Sequence, residues 1–210
     1  VVVIACNTAS AAALHELRAV YPALPFVGME PAVKPAAEQS HTGTVAVLAT
    51  QATFQGALFA SVVERFAQGV EVISQVCPGL VEQIEAGELE SPRTEAMLRG
   101  WVEPLLARNV DALVLGCTHY PFVRPLLEQI CGPGVRVIDP SAAVARQVER
   151  VLVTANGTAG KTAGEHGRVA YFTSGPVDTF ALALLKLGSP AGSASGVRWV
   201  HGRCTLWDED

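Results

Sequence analysis

Two cysteines stand in matching surroundings. VVVIACNTAS runs an apolar stretch into Cys6, Asn7 and Thr8, after which Ala13, Leu14, Leu17 and Val20 fall on one helical face. Much further along, DALVLGCTHYP runs Ala112, Leu113, Val114 and Leu115 through Gly116 into Cys117, Thr118 and His119, with Phe122, Val123, Leu126, Leu127 and Ile130 following at helical spacing. Each cysteine falls where a buried strand hands over to a helix. A thiol there lies beside unsatisfied N–H groups at the positive end of a helix dipole, which favours the thiolate; at Cys117 a nearby imidazole adds to this. A thiolate is a base and a thiol is an acid. Two of them facing one cleft from opposite sides can take a proton from one face of a carbon and return one to the other.

Other readings stay open at this point. A lone cysteine at a strand end is ordinarily a small buried apolar side chain, although two in matched turns shift the balance towards chemistry. A redox pair would need the thiols at disulfide distance. The five cysteines (Cys6, Cys77, Cys117, Cys131, Cys204) are an odd number without framework spacing, which points to free thiols in a reducing cytoplasm. Cys77 reads as structural. Zinc wants closely spaced ligands, and Cys117-Thr118-His119 has no second pair, so no metal is expected. Pyridoxal chemistry needs a Schiff-base lysine, and Lys34, Lys161 and Lys186 stand in no recognisable cofactor motif, so no cofactor is expected.

The elements that position these residues repeat. After Cys6 a second strand ends in an acid and a proline, Phe26-Val27-Gly28-Met29-Glu30-Pro31; after Cys117 the same occurs in Val135-Arg136-Val137-Ile138-Asp139-Pro140. We read this as a weak duplication of a strand–Cys–helix–strand unit. Between the copies, Thr44–Ala49 is a strand closed by Thr50 and Thr53, whose hydroxyls suit an anion, with a helix around 54–66. Val70–Val76 is a strand, and Leu80, Val81 and Ile84 face inward on the next helix, with Glu85 at the border of that face. Glu85 beside Glu82 and Glu88 also fits a solvated helix surface. Ser91-Pro92 starts a helix that buries Leu98, Trp101, Val102, Leu105 and Leu106. Ser141 caps a helix carrying Val144, Val148, Val151 and Leu152. Residues 154–167 and 189–196 read as loops, with a strand at Arg168–Thr173 and a helix face of Val177, Phe180, Ala181, Leu184 and Leu185 between them. Val197–His201 reads as a last strand and 208–210 as a solvated tail. Alternating strands and helices predict an α/β fold of parallel sheets flanked by helices. Ligands bind such sheets beyond the carboxyl ends of the strands. A carboxylate there suits the helix N-termini at Asn7 and Thr8 and at Thr118 and His119.

Of the 210 residues half are hydrophobic and 17% charged, enough apolar material for a core. The net charge of −5 without a basic run argues against a nucleic-acid surface. No run reaches the ~18 apolar residues of a membrane helix, so no membrane association is expected.

ACNTAS and GCTHYP, in this order and at this separation, resemble the glutamate racemases of the aspartate/glutamate racemase superfamily. GCTHYP is the more specific motif, and His119 favours glutamate over aspartate. The resemblance implies two pseudo-symmetric lobes, 1–30 with 140–210 and 31–139, around one cleft. It implies cofactor-independent interconversion of L- and D-glutamate. Cys6 and Cys117 would be the two bases, His119 and Glu85 would assist, and Asn7, Thr8, Thr118, His119, Thr50 and Thr53 would face the substrate. It also implies a homodimer that supplies D-glutamate for peptidoglycan synthesis in the cytoplasm. Such enzymes carry a DSG-type and a Pro-Tyr-Gly motif upstream, so two further βα units, roughly 60 residues, are expected before Val1. Rival readings are a racemase for aspartate or hydantoins and a non-catalytic binder, such as the members that restrain DNA gyrase.

Overall fold

A computed structural model describes residues 1–156, 168–200 and 203–206. Of the loop expected at 154–167, residues 154–156 instead continue the helix Ser141–Asn156, and residues 157–167, like the acidic tail at 208–210, lie outside the described residues. The chain divides into two compact units, 1–84 with 88–159 and 85–87 with 160–210.

The first unit is built on a run that water never reaches. Thr44–Ala49 (β3) has every residue from Val45 to Ala49 fully buried, and so is all of Ala112–Leu115 (β5). Strands buried on both faces read as continuous apolar runs, which is why both were visible in the sequence. They form the centre of a parallel sheet ordered β4-β3-β5-β6, with Glu71–Val76 (β4) and Arg136–Ile138 (β6) outside. A second, two-stranded parallel sheet pairs Val2–Val3 (β1) with Phe26–Val27 (β2). Both copies of the duplicated unit therefore fold as neighbouring parallel strands joined through a helix. Asn7–Val20 (α1) serves the first, and Arg124–Cys131 (α7), after a 3₁₀ turn at Tyr120–Val123, serves the second. Val33–Glu38 (α2) and Ala57–Phe66 (α4) cover one face of the large sheet through Val33, Ala36, Phe59 and Val62.

Pro92–Leu106 (α6) starts as expected: the Ser91 hydroxyl accepts the Thr94 N–H at 3.3 Å and Pro92 occupies the first turn. Other local expectations are corrected. The helix expected around 54–66 is two pieces, Gln51–Gln55 (α3) and α4, because Gly56 is extended (φ −74°, ψ 137°). The helix Ser141–Asn156 (α8) is held at its start by the Asp139 carboxylate, which accepts the Ser141 N–H at 2.8 Å and its hydroxyl at 2.6 Å, so the acid and not Ser141 is the cap. Leu152 on α8 is exposed.

The second unit pairs Ala170–Thr173 (β7) with Ser193–Val200 (β8) in parallel, and β8 with Arg203–Leu206 (β9) antiparallel. Residues 193–196, expected as loop, are thus strand. On Val177–Lys186 (α9) Leu185 is 77% exposed and Ala181 is exposed too, so the expected face holds only for Val177, Phe180 and Leu184, which are half-buried. Among the described residues no helix is long and apolar enough to cross a membrane.

One ionised side chain ties the entry of β3 to that of β5. Asp111 accepts the His41 N–H at 2.6 Å, the Ser40 hydroxyl at 2.8 Å and the Thr42 N–H at 3.1 Å. Partial burial works against its charge, but those three donors and the Arg136 guanidinium outweigh it and hold the carboxyl below its ordinary value. Losing a charge-accepting cluster of this kind costs about 1.5–3 kcal/mol, so Asp111→Ala is expected to lower the unfolding free energy by that amount in urea. A carboxyl with a depressed folded pKa stabilises fully above its unfolded pKa of about 4 and loses that contribution as pH falls through the folded value. The gap between parent and variant should therefore be constant near neutrality and narrow below about pH 4. A gap that stays constant through that range would show that the charge of the carboxylate contributes nothing.

Candidate active site

Cys6 is the N-cap of α1. Its extended backbone (φ −152°, ψ 125°) lets Sγ accept the Ala9 N–H at 3.4 Å, so the thiol sits on the positive end of the helix. Asn7 is the first helical residue. It is 2% exposed, and neither its amide nitrogen nor its amide oxygen has a hydrogen-bond partner. An amide buried in this state costs free energy that a bound polar group would recover.

Cys117 follows Gly116 at the end of β5. The backbone N–H groups of His119, Tyr120 and Thr118 favour its thiolate, and His119 Nδ1 lies 3.7 Å from Sγ. The α-helix expected directly after Cys117 is replaced by the 3₁₀ turn, so these three amides, rather than an α-helix terminus, supply the positive field. Burial nonetheless pushes the Cys117 thiol above its ordinary value, and negative charge on Cys6 pushes it further. The two thiols therefore share one electrostatic neighbourhood, in which ionising both is disfavoured. Thr118 and His119 are half-buried beside them.

Three threonine hydroxyls meet near the start of α1. Thr8 Oγ1 lies 3.0 Å from Thr50 Oγ1 and 3.0 Å from Thr53 Oγ1, and the last two are 3.1 Å apart. Each hydroxyl owns one proton and two lone pairs. A closed ring uses every proton once, and a carboxylate arriving at the ring can draw those protons to itself. Thr53 is 2% exposed, whereas Thr8 and Thr50 are half-buried. The structure thus gathers Thr8, Thr50 and Thr53, and separately Cys117 and His119, with Cys6 in electrostatic reach of Cys117. Glu85 is the exposed last residue of Leu80–Glu85 (α5) and belongs to the second unit.

Two residues escaped the sequence reading. Tyr120 is fully buried beside the Cys77 thiol, and its hydroxyl has no partner at hydrogen-bonding geometry. Burial pushes Cys77 up to about 12, against the opposing effect of the Tyr120 hydroxyl, so Cys77 stays protonated, in keeping with a structural role. Ser10 is also buried; its place at helical spacing with Leu14 and Leu17 was the available signal. Among the described residues no three His, Cys, Asp or Glu side chains gather as a metal site.

Residues 1–148 match the model of the Asp/Glu/Hydantoin racemase family. The chain is 59% identical over 150 residues to a glutamate racemase of Stutzerimonas stutzeri (strain A1501), covering 71% of this chain and 57% of that protein. It is 50% identical over 189 residues to a glutamate racemase of Roseiflexus sp. (strain RS-1), covering 90% of this chain and 69% of that one. Among solved structures, glutamate racemase isoform RacE1 from Bacillus anthracis superposes with a TM-score of 0.79 at 26% identity, over 93% of this chain and 73% of that chain. Escherichia coli glutamate racemase, in complex with L-glutamate and the activator UDP-MurNAc-ala, gives 0.73 at 28% identity, over 91% and 72%. The chain spans less than two thirds of the length of the first of these relatives.

Proposed function

The chain belongs to the Asp/Glu/Hydantoin racemase family, and on that premise we propose that its protein interconverts L- and D-glutamate by a two-base mechanism carried by Cys6 and Cys117. The observation that supports this most is the pair of thiols itself. Each stands at a strand exit among backbone N–H donors, and each is close enough for the charge of Cys6 to bear on Cys117.

Inversion at the α-carbon requires a base on one face and an acid on the other. In the D-to-L direction the Cys6 thiolate takes the α-proton and the Cys117 thiol delivers one to the opposite face. In the L-to-D direction the roles exchange. Their mutual electrostatic opposition favours this state, one thiolate facing one thiol, over the doubly ionised one. His119, with Nδ1 against the Cys117 sulfur, can hold or return the proton of that thiol. Asn7 offers its buried, unpartnered amide to the substrate's polar groups, and Thr118 would bind the substrate from the Cys117 turn. Thr8, Thr50 and Thr53 donate to a carboxylate. Glu85 would assist catalysis in this reading. The D-glutamate formed would feed peptidoglycan synthesis in the cytoplasm, and the working form would be a homodimer.

The test uses the complete product of the gene, incubated separately with L- and D-glutamate in heavy water without added cofactor. Loss of the α-proton by NMR, together with loss of optical activity from both enantiomers, is the expected result. Exchange with aspartate but not glutamate would move the substrate to another racemase of the family. Exchange with neither would overturn the catalytic reading.

A further inference from the structure

Strands β1 and β2 are paired through Val2 with Phe26 and Val3 with Val27, and the ladder runs one bond further, from the Ile4 N–H to the Val27 carbonyl at 2.8 Å. In a parallel ladder the next rung would run from the Met29 N–H to the Ile4 carbonyl. The Ser10 hydroxyl takes both groups instead. It donates to the Ile4 carbonyl at 3.2 Å and accepts the Met29 N–H at 2.9 Å, and Ser10 is only 3% exposed. The serine is thus a wedge at the point where the strands part and the chain turns into Ala5 and Cys6. Its own N–H also donates to the Cys6 carbonyl at 2.9 Å, closing the first helical bond of α1. Gly28 makes room for the wedge: a β-carbon there would lie 2.5 Å from Leu14 Cδ2 and 3.1 Å from Ser10 Oγ.

We infer that Ser10 is a positioning residue for Cys6: by standing in for a ladder rung where β1 and β2 diverge, its hydroxyl sets where the Cys6 sulfur meets the substrate. This rests on the racemase reading above. Removing the hydroxyl leaves the half-buried Ile4 carbonyl and the buried Met29 N–H without this partner. The two are expected to close on each other, drawing the Cys6 turn away from its place.

Rates alone cannot reveal which thiol is affected. A racemase has an equilibrium constant of one, so kcat/KM must change equally in both directions. Isotope effects are not bound in this way. The experiment compares the complete gene product with Ser10→Ala, Ser10→Cys and Leu14→Ala, using α-deuterated D- and L-glutamate. Cysteine is nearly isosteric with serine and a poor hydrogen-bonding group, so it preserves packing should Ser10→Ala not fold. Leu14→Ala is a packing control. A misplaced base costs up to about 100-fold, and both Ser10 variants are expected to lose roughly 10- to 100-fold in kcat/KM. As the Cys6 step becomes limiting, the deuterium effect should rise with D-glutamate and fall towards unity with L-glutamate. Leu14→Ala should leave both effects at the parent's values. Slower Ser10 variants with unchanged isotope effects would reduce Ser10 to packing and overturn the inference. A parent protein that exchanges no α-proton of glutamate would instead overturn the racemase reading beneath it.

Discussion

Cys117→Ala is expected to cut kcat/KM for glutamate racemisation by about 10³-fold, within the range that one acid–base group contributes. The remaining chemistry should be one-sided. Cys6 can still remove the α-proton of D-glutamate and return a solvent deuteron to the same face, so D-glutamate should exchange without inverting. L-Glutamate, whose proton faces the missing thiol, should not exchange. Cys6→Ala should show the mirror image. Cys117 is only half-buried and its sulfur lies against the imidazole of its own turn, so the fold is expected to survive its loss, and circular dichroism checks this. Racemisation at the parent's rate in Cys117→Ala would remove the two-base mechanism outright. Loss of exchange in both enantiomers would show that Cys117 shapes the site as a whole.

The features legible in the sequence were those set by burial over a short run. β3 was placed residue for residue because all its side chains from Val45 onward avoid water, leaving a continuous apolar word. The start of α6 was legible because Ser91-Pro92 is local chemistry. The start of β8 was not, because Ser193, Ala194, Ser195 and Gly196 are held in a strand by pairing with β7 and not by anything their side chains announce. The break at Gly56 is likewise tertiary: a β-carbon there would lie 3.0 Å from Ala11 Cβ, so α1 comes down on the joint between α3 and α4. In the site, the cysteine motifs were visible as words. The meeting of Thr8 with Thr50 and Thr53 was not, since it joins the start of α1 to a turn more than forty residues away. The Ser10 wedge was hidden for the same reason. A serine on the inner face of a helix shows that it is buried, but not that it replaces a rung between two strands.

Gly116→Ala is expected to destabilise the protein by about 1–3 kcal/mol, the usual cost of forcing a group into a packed core. Gly100→Ala should do the opposite. The two glycines separate space from conformation. Neither has a left-handed backbone, so neither is required for its φ. Gly100 lies in the interior of α6 with nothing within 4 Å of a β-carbon, and alanine there should gain up to about 1 kcal/mol from helix propensity. At Gly116 a β-carbon would lie 2.9 Å from the Leu48 carbonyl oxygen, 3.0 Å from Ala49 Cβ and 3.1 Å from Val47 Cγ1. The nearest of these is backbone of the central strand, and it cannot rotate away. It is also the carbonyl to which the Gly116 N–H donates at 2.7 Å. An added methyl must therefore push β5 off β3 at the residue that immediately precedes Cys117. Stability and activity should fall together: guanidinium unfolding should give the loss of stability, and kcat/KM should drop although no group that touches the substrate has changed. Equal stability of the two alanine variants would mean that β3 and β5 do not approach so closely at their ends. The placement of the Cys117 sulfur would then need another cause.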